Sequence, residues 1–538
     1  MQRDFSKLTT QPFDVLICGG GIYGAWTAYD AALRGLKVAL VEQGDWASAT
    51  SSASSKLIHG GLRYLESLDI KLVKKALRER QMLLQVAPHR VWPLRFGIPV
   101  FAGSRLNRFC LKIGLTLYDY LAGTLGGSQA HRYFSRSVFA ERFPCLDPSS
   151  LKNGFSYLDA QTDDARFTLE LIDGALSAGA VCLNYCKVTE FIEHNGRLCG
   201  AKVHSSVEDQ SVDVFARQIV NTTGQWLSEI QPESVEYRLT KGVHLILPKI
   251  LENEALLLTA QADGRVFFMI PWYGLTLLGT TDTPYDGDIE QVKVEADDID
   301  YLLTEANRVL KSVHWNKSDI IGQYAGLRVL KQSSKTSPSA VSRDWELKIA
   351  HNGLLTSIGG KLTSAREDAA QIVNTVCRNL GLNESCKTDG KAFPWLPETD
   401  YRQWSATILA NAKSLYIDDE SAIWLIKRHA KRVPLIFELI ANDPHLARRI
   451  IPSLPFIVAD LVFCARHEMV VHLDDLLRRR MPLFILSKMT LTECRAITDI
   501  IATTLAWDTD KLNDELAICT RKGFFSGNYS AVRKIAHR

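Results

Sequence analysis

Asp14-Val15-Leu16-Ile17-Cys18-Gly19-Gly20-Gly21-Ile22-Tyr23-Gly24 is the stretch on which the fold turns. The apolar run Val15 to Ile17 reads as a strand that ends in a glycine cluster. Ala25 to Leu33 is rich in small residues and compatible with a helix. A second apolar run, Lys37-Val38-Ala39-Leu40-Val41, ends in Glu42. Strand, turn, helix, strand and acid follow one another as in a dinucleotide-binding βαβ unit. Gly19 permits the tight turn, Gly21 lets backbone approach a pyrophosphate, and Gly24 lets helix pack close on strand. The helix start at Ile22 turns free N–H groups and a positive dipole end toward the phosphates. Glu42 stands where a carboxylate accepts hydrogen bonds from a ribose.

Outward from this unit, the totals set the frame. The 538 residues predict about three domains. An apolar fraction of 46% suffices for a large core. A net charge of +3 gives no argument for nucleic acid, while an anionic substrate or an anionic membrane surface is compatible with it. The eleven cysteines are scattered, without a C-x-x-C pair or an iron–sulfur spacing. They read as ordinary thiols of a reducing compartment, and no metal site is assigned. The first thirteen residues lack the apolar core of a signal peptide. No run reaches the ~20 apolar residues of a membrane span. The expected location is the cytoplasm, with peripheral attachment to the inner face of the cell membrane.

Beyond Glu42 the chain reads Thr50-Ser51-Ser52-Ala53-Ser54-Ser55-Lys56-Leu57-Ile58-His59-Gly60-Gly61-Leu62-Arg63-Tyr64-Leu65. Hydroxyl residues followed at once by Lys, His, Gly-Gly, Arg and Tyr suit a tight loop rich in donors around a phosphate-bearing cofactor. From Asp14 to Leu65 the sequence resembles the flavin-dependent glycerol-3-phosphate dehydrogenase family, and the resemblance extends to about Ala370. It implies FAD, where the glycine fingerprint alone equally admits a nicotinamide cofactor. It also implies an α/β fold, with a Rossmann-like two-part FAD-binding domain (residues 1–80, 151–235 and 351–385). A substrate domain built on an antiparallel sheet (81–150 and 236–350) and a C-terminal helical domain (395–538) complete the expectation.

Several later segments fit this plan. Lys71 to Val86 is an amphipathic helix with Leu72, Ala76, Leu83 and Val86 on its apolar stripe. Arg105 to Leu115 mixes basic and large apolar residues. It reads either as a helix in a phospholipid interface, with Phe109 and Leu111 touching lipid, or as a buried helix with solvated charges. Asp159 to Arg166 precedes a helix through Ala175. Ile219 to Trp226 is a strand running into a second glycine turn at Gly224, with Gln225 where the family usually has proline. Leu239–Pro248, Arg265–Trp272 and Thr276–Asp282 are short β-branched and aromatic runs of an antiparallel sheet. A helix is expected over Asp298 to Leu310. Gly353 to Arg366 is a strand, a Gly-Gly turn and a helix start that would aim its positive end at the flavin ring. Lys387 to Thr399 reads as a linker, and Arg478-Arg479-Arg480 as a solvated helix face. His467 and His472 are five apart, so they do not share a helix face as a zinc H-E-x-x-H pair does.

Oxidising a secondary alcohol needs a hydride acceptor and a base for the hydroxyl proton, and a substrate phosphate needs fixed cations. Candidate cations are Arg63 beside Tyr64, Arg328, Arg343 and Lys361. The resemblance puts counterparts of Tyr64, Arg328, Arg343 and Lys361 around the substrate. One departure is Val329, where the family usually has proline, so the pre-proline restraint on Arg328 is missing. His244 is the first candidate base and His59 the second. The cofactor contacts expected are Gly19, Gly21, Ile22, Gly24, Glu42, Thr50, Ser51, Ser52, Ser55, Lys56, Gly224, Gly360, Lys361, Leu362 and Thr363. The expected reaction is oxidation of glycerol 3-phosphate, with electrons passed to a membrane quinone or, alternatively, to oxygen. An oxidase of amino acids or amines is the rival enzyme, and a flavin-bearing membrane adaptor without turnover the rival of another class. A homodimer is left open.

Overall fold

A computed structural model describes residues 1–66, 69–105, 107–230, 236–331 and 345–525. The chain forms two compact units, Arg3–Tyr401 and Arg402–Arg538, the latter taking in Met1–Gln2.

In the first unit β1 (Phe13–Cys18), α1 (Ile22–Leu33) and β2 (Val38–Val41) form the opening βαβ unit, and the helix starts three residues before Ala25. Next come β3 (Leu57–Ile58), α2 (Ile70–Val86), β4 (Val91–Phe101) and α3 (Arg108–Ala122). β5 (Arg132–Ser135), α4 (Arg136–Arg142), β6 (Leu151–Thr162) and α5 (Asp164–Ser177) follow. α5 opens inside the stretch expected to precede it, because the Asp163 side chain caps its first turn by accepting from the Arg166 amide. β7 (Val181–Leu183), β8 (Cys186–His194), β9 (Arg197–Ser205) and β10 (Gln210–Asn221) lead to the second glycine turn. Beyond it lie β11 (Tyr237–Leu247), β12 (Glu254–Thr259), β13 (Val266–Trp272), β14 (Leu275–Gly279) and β15 (Thr283–Pro284). α6 (Ala296–Asn307), β16 (Gly322–Lys331), β17 (Glu346–Ile349), β18 (Leu355–Ile358) and α7 (Ala365–Asn379) close the unit.

Two sheets result. The first, eight-stranded, runs β17-β18-β10-β1-β2-β7, with β9 and β8 paired onto the extension of β10. β1 lies parallel to both β2 and β10, and β10 parallel to β18. Val15, Leu16 and Ile17 are wholly buried, as a central parallel strand covered on both faces requires. α1 packs between α5 and α7. The second sheet, ten-stranded, runs β15-β11-β14-β13-β12-β4-β6-β3, with β16 on β11 and β5 on β6. It is antiparallel except where β12 meets β4. The α/β class with an antiparallel second sheet is as expected.

Three expectations change. Phe393 and Trp395 of the expected linker are buried in the first unit. The Trp395 amide donates to Glu170 Oε1 (2.8 Å) and its indole to Asp173 Oδ2 (2.6 Å), so this stretch is packed although it carries no helix or strand. In α3, Phe109 (75% exposed) and Ile113 (70%) face outward, whereas Leu111 is buried. A helix puts residues four apart on one face, so Ile113 and not Leu111 accompanies Phe109. Leu106 lies outside the described residues. In the helical unit Arg479 and Arg480 are buried, against the expectation of a solvated face. Arg479 pairs with Asp475 (2.7 Å), and Arg480 donates to the Glu468 and Met469 carbonyls. A local run of charge does not reveal that backbone carbonyls are waiting for it.

The helical unit also holds His467 and His472. His467 packs on the ring of Phe463, and His472 Nδ1 lies 2.7 Å from Glu515 Oε1. Among the described residues His429, Asp460 and Cys464 bring ligand-type atoms within 4.8 Å of one another. The Asp460 carboxylate there is shared between the Arg428 guanidinium and His429, so its charge already has partners.

Candidate active site

Where β1 meets α1, each glycine answers to a different neighbour. Gly19 takes φ +106° and donates its amide to the Val41 carbonyl (2.8 Å). A Cβ on Gly24 would run into the Gly19 carbonyl and stand 2.9 Å from Thr222 Oγ1. Helix therefore sits directly on strand at this point. A Cβ on Gly21 would meet only Ser51 Oγ, at 3.1 Å, and otherwise open space. α1 starts without a side-chain cap. Glu42 accepts from the Gly20 amide (2.6 Å) and the Gly44 amide (2.8 Å), which braces its carboxylate against the turn.

The serine-rich loop folds over this turn. Ser51 Oγ accepts from the Ile22 amide (2.9 Å), and Thr50 Oγ1 donates to the Leu327 carbonyl (2.6 Å). Ser54 donates through its amide and its hydroxyl to Asp164 Oδ2. Lys56 has φ +59° and points inward. Its ammonium bonds to Asp164 Oδ1 (2.5 Å) and the Ser52 carbonyl (2.6 Å), and it lies over the rings of Trp272 and Tyr324. Lys56 and Ser52, both expected to touch the cofactor, are therefore absent from the cavity lining. A buried lysine needs a carboxylate, and Asp164 supplies it.

The opposite wall is set by the β11–β16 register. Thr240 pairs with Arg328, Gly242 with Gly326 and His244 with Tyr324, so these residues alternate onto one face. His244 stacks on its cross-strand partner Tyr324, with ring centroids 4.9 Å apart. The Arg328 guanidinium lies over Gly242, in the space a side chain there would fill. It is held by Thr280 Oγ1 (2.8 Å), the Thr281 carbonyl (3.2 Å) and Asp282 (3.3 Å). These three contacts restrain Arg328 although the proline expected after it is missing. Gln225, at the other missing proline, donates to the Ile289 carbonyl (3.0 Å).

His244 is buried, with Nε2 2.8 Å from Ser55 Oγ. Burial first, then Arg328 and Lys56, hold its imidazole well below the ordinary histidine range. His59 lies on the cavity wall, half-buried, its amide bonded to Thr363 Oγ1 (3.1 Å). A short turn, Leu62–Leu65, carries Arg63 and Tyr64. The Lys361 ammonium sits 3.8 Å from the centre of the Tyr64 ring, and the Arg63 guanidinium 5.6 Å from it. Arg343 lies outside the described residues.

One cavity of about 340 Å³ brings most of these groups together. It is lined by Gly19, Gly21, Ile22, Glu42, Thr50, Ser51, Ser55, His59, Arg63, Tyr64, Gly224, His244, Arg328, Gly360, Lys361, Leu362 and Thr363. Gly24 stays behind the wall as a packing residue. A second cavity of about 320 Å³ is lined by Glu42, Gln43, Lys187, Val188, Thr189 and Trp226 among others. The two share Gly19, Glu42, Thr223 and Trp226. No motif in the sequence marks Lys187–Thr189, Trp226 or Arg265 as lining residues. β8 carries no motif, and only sheet pairing brings it beside Glu42. Arg265 also lines the first cavity and donates to the Asp282 carbonyl (2.8 Å).

Comparison with known proteins gives the same picture. The profile of the "FAD dependent oxidoreductase" family matches residues 14–366, and that of the "C-terminal domain of alpha-glycerophosphate oxidase" matches residues 398–512. The chain is similar to a glycerol-3-phosphate dehydrogenase of Synechocystis sp., 36% identical over 504 residues, covering 89% of this chain and 90% of that protein. It is similar to an aerobic glycerol-3-phosphate dehydrogenase of Staphylococcus saprophyticus, 33% identical, covering 88% and 87%. Among solved structures, a Bacillus halodurans glycerol-3-phosphate dehydrogenase complexed with FAD superimposes with a TM-score of 0.78 at 27% identity, covering 96% and 95%. The residues present fit such a cofactor. Beside the start of α1, the open face of Gly21 and the adjoining cavities that meet at Glu42 form one continuous lining.

Proposed function

Because the chain belongs to the FAD dependent oxidoreductase family and, within it, to the glycerol-3-phosphate dehydrogenases, we propose that it oxidises sn-glycerol 3-phosphate to dihydroxyacetone phosphate, with FAD as hydride acceptor and a membrane quinone as final oxidant. FAD held at the Gly19–Gly21 turn, Ser51, Glu42 and the Gly360–Thr363 turn would supply the hydride-accepting chemistry. The chain's own residues do the rest. Arg328, with Arg343, Lys361, Arg63 and Tyr64, binds the phosphate end and orients the hydroxyl. Guanidinium suits this task because its planar fork engages two phosphate oxygens at once. His244 takes the hydroxyl proton, with His59 the second candidate. The environment of His244 keeps it neutral at working pH, the form that accepts a proton.

What carries this reading is that Arg328, Lys361, Arg63, Tyr64 and both histidines line the same cavity as Gly19 and Gly21. The rival oxidase of amino acids would present a binding site for a carboxylate and an amine. The test is an anaerobic titration of the yellow protein. Glycerol 3-phosphate is expected to bleach the flavin, while glycine and D-amino acids leave it oxidised. Bleaching by an amino acid instead would reverse the choice. Reoxidation by a soluble quinone analogue, compared with air, then identifies the acceptor.

Peripheral attachment to a membrane rests on α3. Phe109, Ile113 and Tyr120 are exposed there, beside the basic residues Arg108 and Lys112. Among the described residues no helix is long and apolar enough to cross a membrane. The protein should float with anionic phospholipid vesicles. High salt should release only part of it, because apolar burial is not screened. Phe109→Ser with Ile113→Ser should release the remainder, and equal flotation of this variant at high salt would exclude α3 as the anchor.

A further inference from the structure

Tyr23 fills a position that the glycine motif leaves open, and its hydroxyl has two committed partners. It donates to Asp368 Oδ2 (2.7 Å) and accepts from the backbone amide of Lys361 (3.0 Å). Asp368, on α7, has a fully buried side chain. It also receives the ammonium of Lys75 from α2 (2.5 Å) and the hydroxyl of Ser364 (3.1 Å). Burial, then the neighbouring Asp368 charge, pushes the phenol well above its ordinary range, so it stays protonated. Its one proton therefore goes to Asp368, and its lone pairs face the Lys361 amide. Gly360 adopts φ +99°, and a Cβ there would strike the Tyr23 hydroxyl. The turn is shaped around that oxygen. A bond chain from Lys75 through Asp368 and Tyr23 to the Lys361 amide links the start of α1 to the residue whose ammonium lies over Tyr64.

We propose that Tyr23 is a positioning residue: its hydroxyl fixes the backbone of Lys361 and so sets the place of the Lys361 ammonium in the substrate's phosphate site. This rests on the reading of Lys361 as a substrate-binding cation. Tyr23→Phe keeps the ring and removes only the oxygen. Flavin content and melting temperature should stay near those of the parent. The KM for glycerol 3-phosphate, and the Kd for dihydroxyacetone phosphate by calorimetry, should rise about 3- to 10-fold, the effect of one neutral hydrogen bond, with kcat changed less. Lys361→Ala should raise both about 30-fold or more. The double variant should bind no more weakly than Lys361→Ala alone, because Tyr23 then has nothing to position. Asp368→Asn, which removes the charge that orients the hydroxyl, should show the same non-additivity. A Tyr23→Phe effect that multiplies in full onto Lys361→Ala, or parental binding by Tyr23→Phe, overturns the inference while leaving Lys361 in the site. Parental binding by Lys361→Ala overturns the reading of Lys361 and this inference with it.

Discussion

The two walls of the cavity present their functional groups by different means. The wall at the start of α1 works with backbone: Gly19, Gly21 and Gly24 set turn, opening and packing, and the acid Glu42 is braced by two amides. The β11–β16 wall works with side chains: Arg328 held at three points and His244 stacked on Tyr324. A backbone wall tolerates almost any change except added volume. A side-chain wall should keep its fold under substitution and lose its chemistry instead.

Gly24 and Gly21 break this contrast most severely. Gly24→Val puts a branched Cβ into the Gly19 carbonyl and close against Thr222. Overpacking of a well-packed interior costs about 1–3 kcal/mol or more, and backbone in the way puts this case at the upper end. The variant should lose several degrees of melting temperature and its flavin together. Gly21→Val faces open space and Ser51, so it should fold with a melting temperature near that of the flavin-free parent, yet carry no flavin. Absorbance at the flavin band and thermal unfolding separate the two. A fully flavinated Gly21→Val protein would remove that glycine from the cofactor's path.

This contrast also explains what was legible. Strand, turn, helix and acid lie within one short stretch, and local pattern suffices to read them. His244 and Arg328 lie far apart in the chain and meet only through register. Their residue types fit many roles: the resemblance to a known family singles out Arg328, and residue type alone favours His244 as a base. Nothing local in the sequence discloses Asp164, the buried partner of Lys56. No motif marks Tyr23, because the glycine fingerprint leaves its position open. Trp395 looked like linker because its partners Glu170 and Asp173 belong to α5.

On the side-chain wall the next effect in size belongs to Arg328. Arg328→Ala should weaken glycerol 3-phosphate binding by about 2–5 kcal/mol while flavin remains bound, and Arg328→Lys should recover only part, since it keeps charge without the fork. The same residue acts on His244. Burial, Arg328 and Lys56 all disfavour the imidazolium, so the neutral, proton-accepting form persists as pH falls through the ordinary histidine range near 6.5. The acid limb of flavin reduction should therefore lie well below that value in the parent. In Arg328→Met one of the opposing charges is gone, and the limb should move upward. The sign for stability follows from the same shift. The unfolded chain binds a proton at this histidine that the folded chain refuses, so this site lowers stability as pH falls below about 6.5. An acid limb that is unmoved in Arg328→Met would show that His244 is not the titrating base. His59→Asn against His244→Asn would then decide which histidine is.

Val329 offers the smallest effect and the finest test of how the side-chain wall is held. The family resemblance leads one to expect proline here, and a proline would restrict the backbone of Arg328 to extended conformations. In this protein Arg328 already lies in a strand and its guanidinium is tied to Thr280, Thr281 and Asp282, so the restraint comes from hydrogen bonds. Among the described residues β16 pairs only with β11, which makes it an edge, and edge strands accept proline. Val329→Pro should thus change stability by no more than about 1 kcal/mol, the net worth of one ladder hydrogen bond, and the KM for glycerol 3-phosphate by less than about threefold. Paired with Thr280→Val, which removes the shortest tie to the guanidinium, it should do more: the proline should recover part of the binding that Thr280→Val loses. If Val329→Pro instead disrupts binding tenfold or more on its own, Arg328 depends on the freedom of the following residue. The two walls would then differ less than their construction implies, since backbone conformation would govern both.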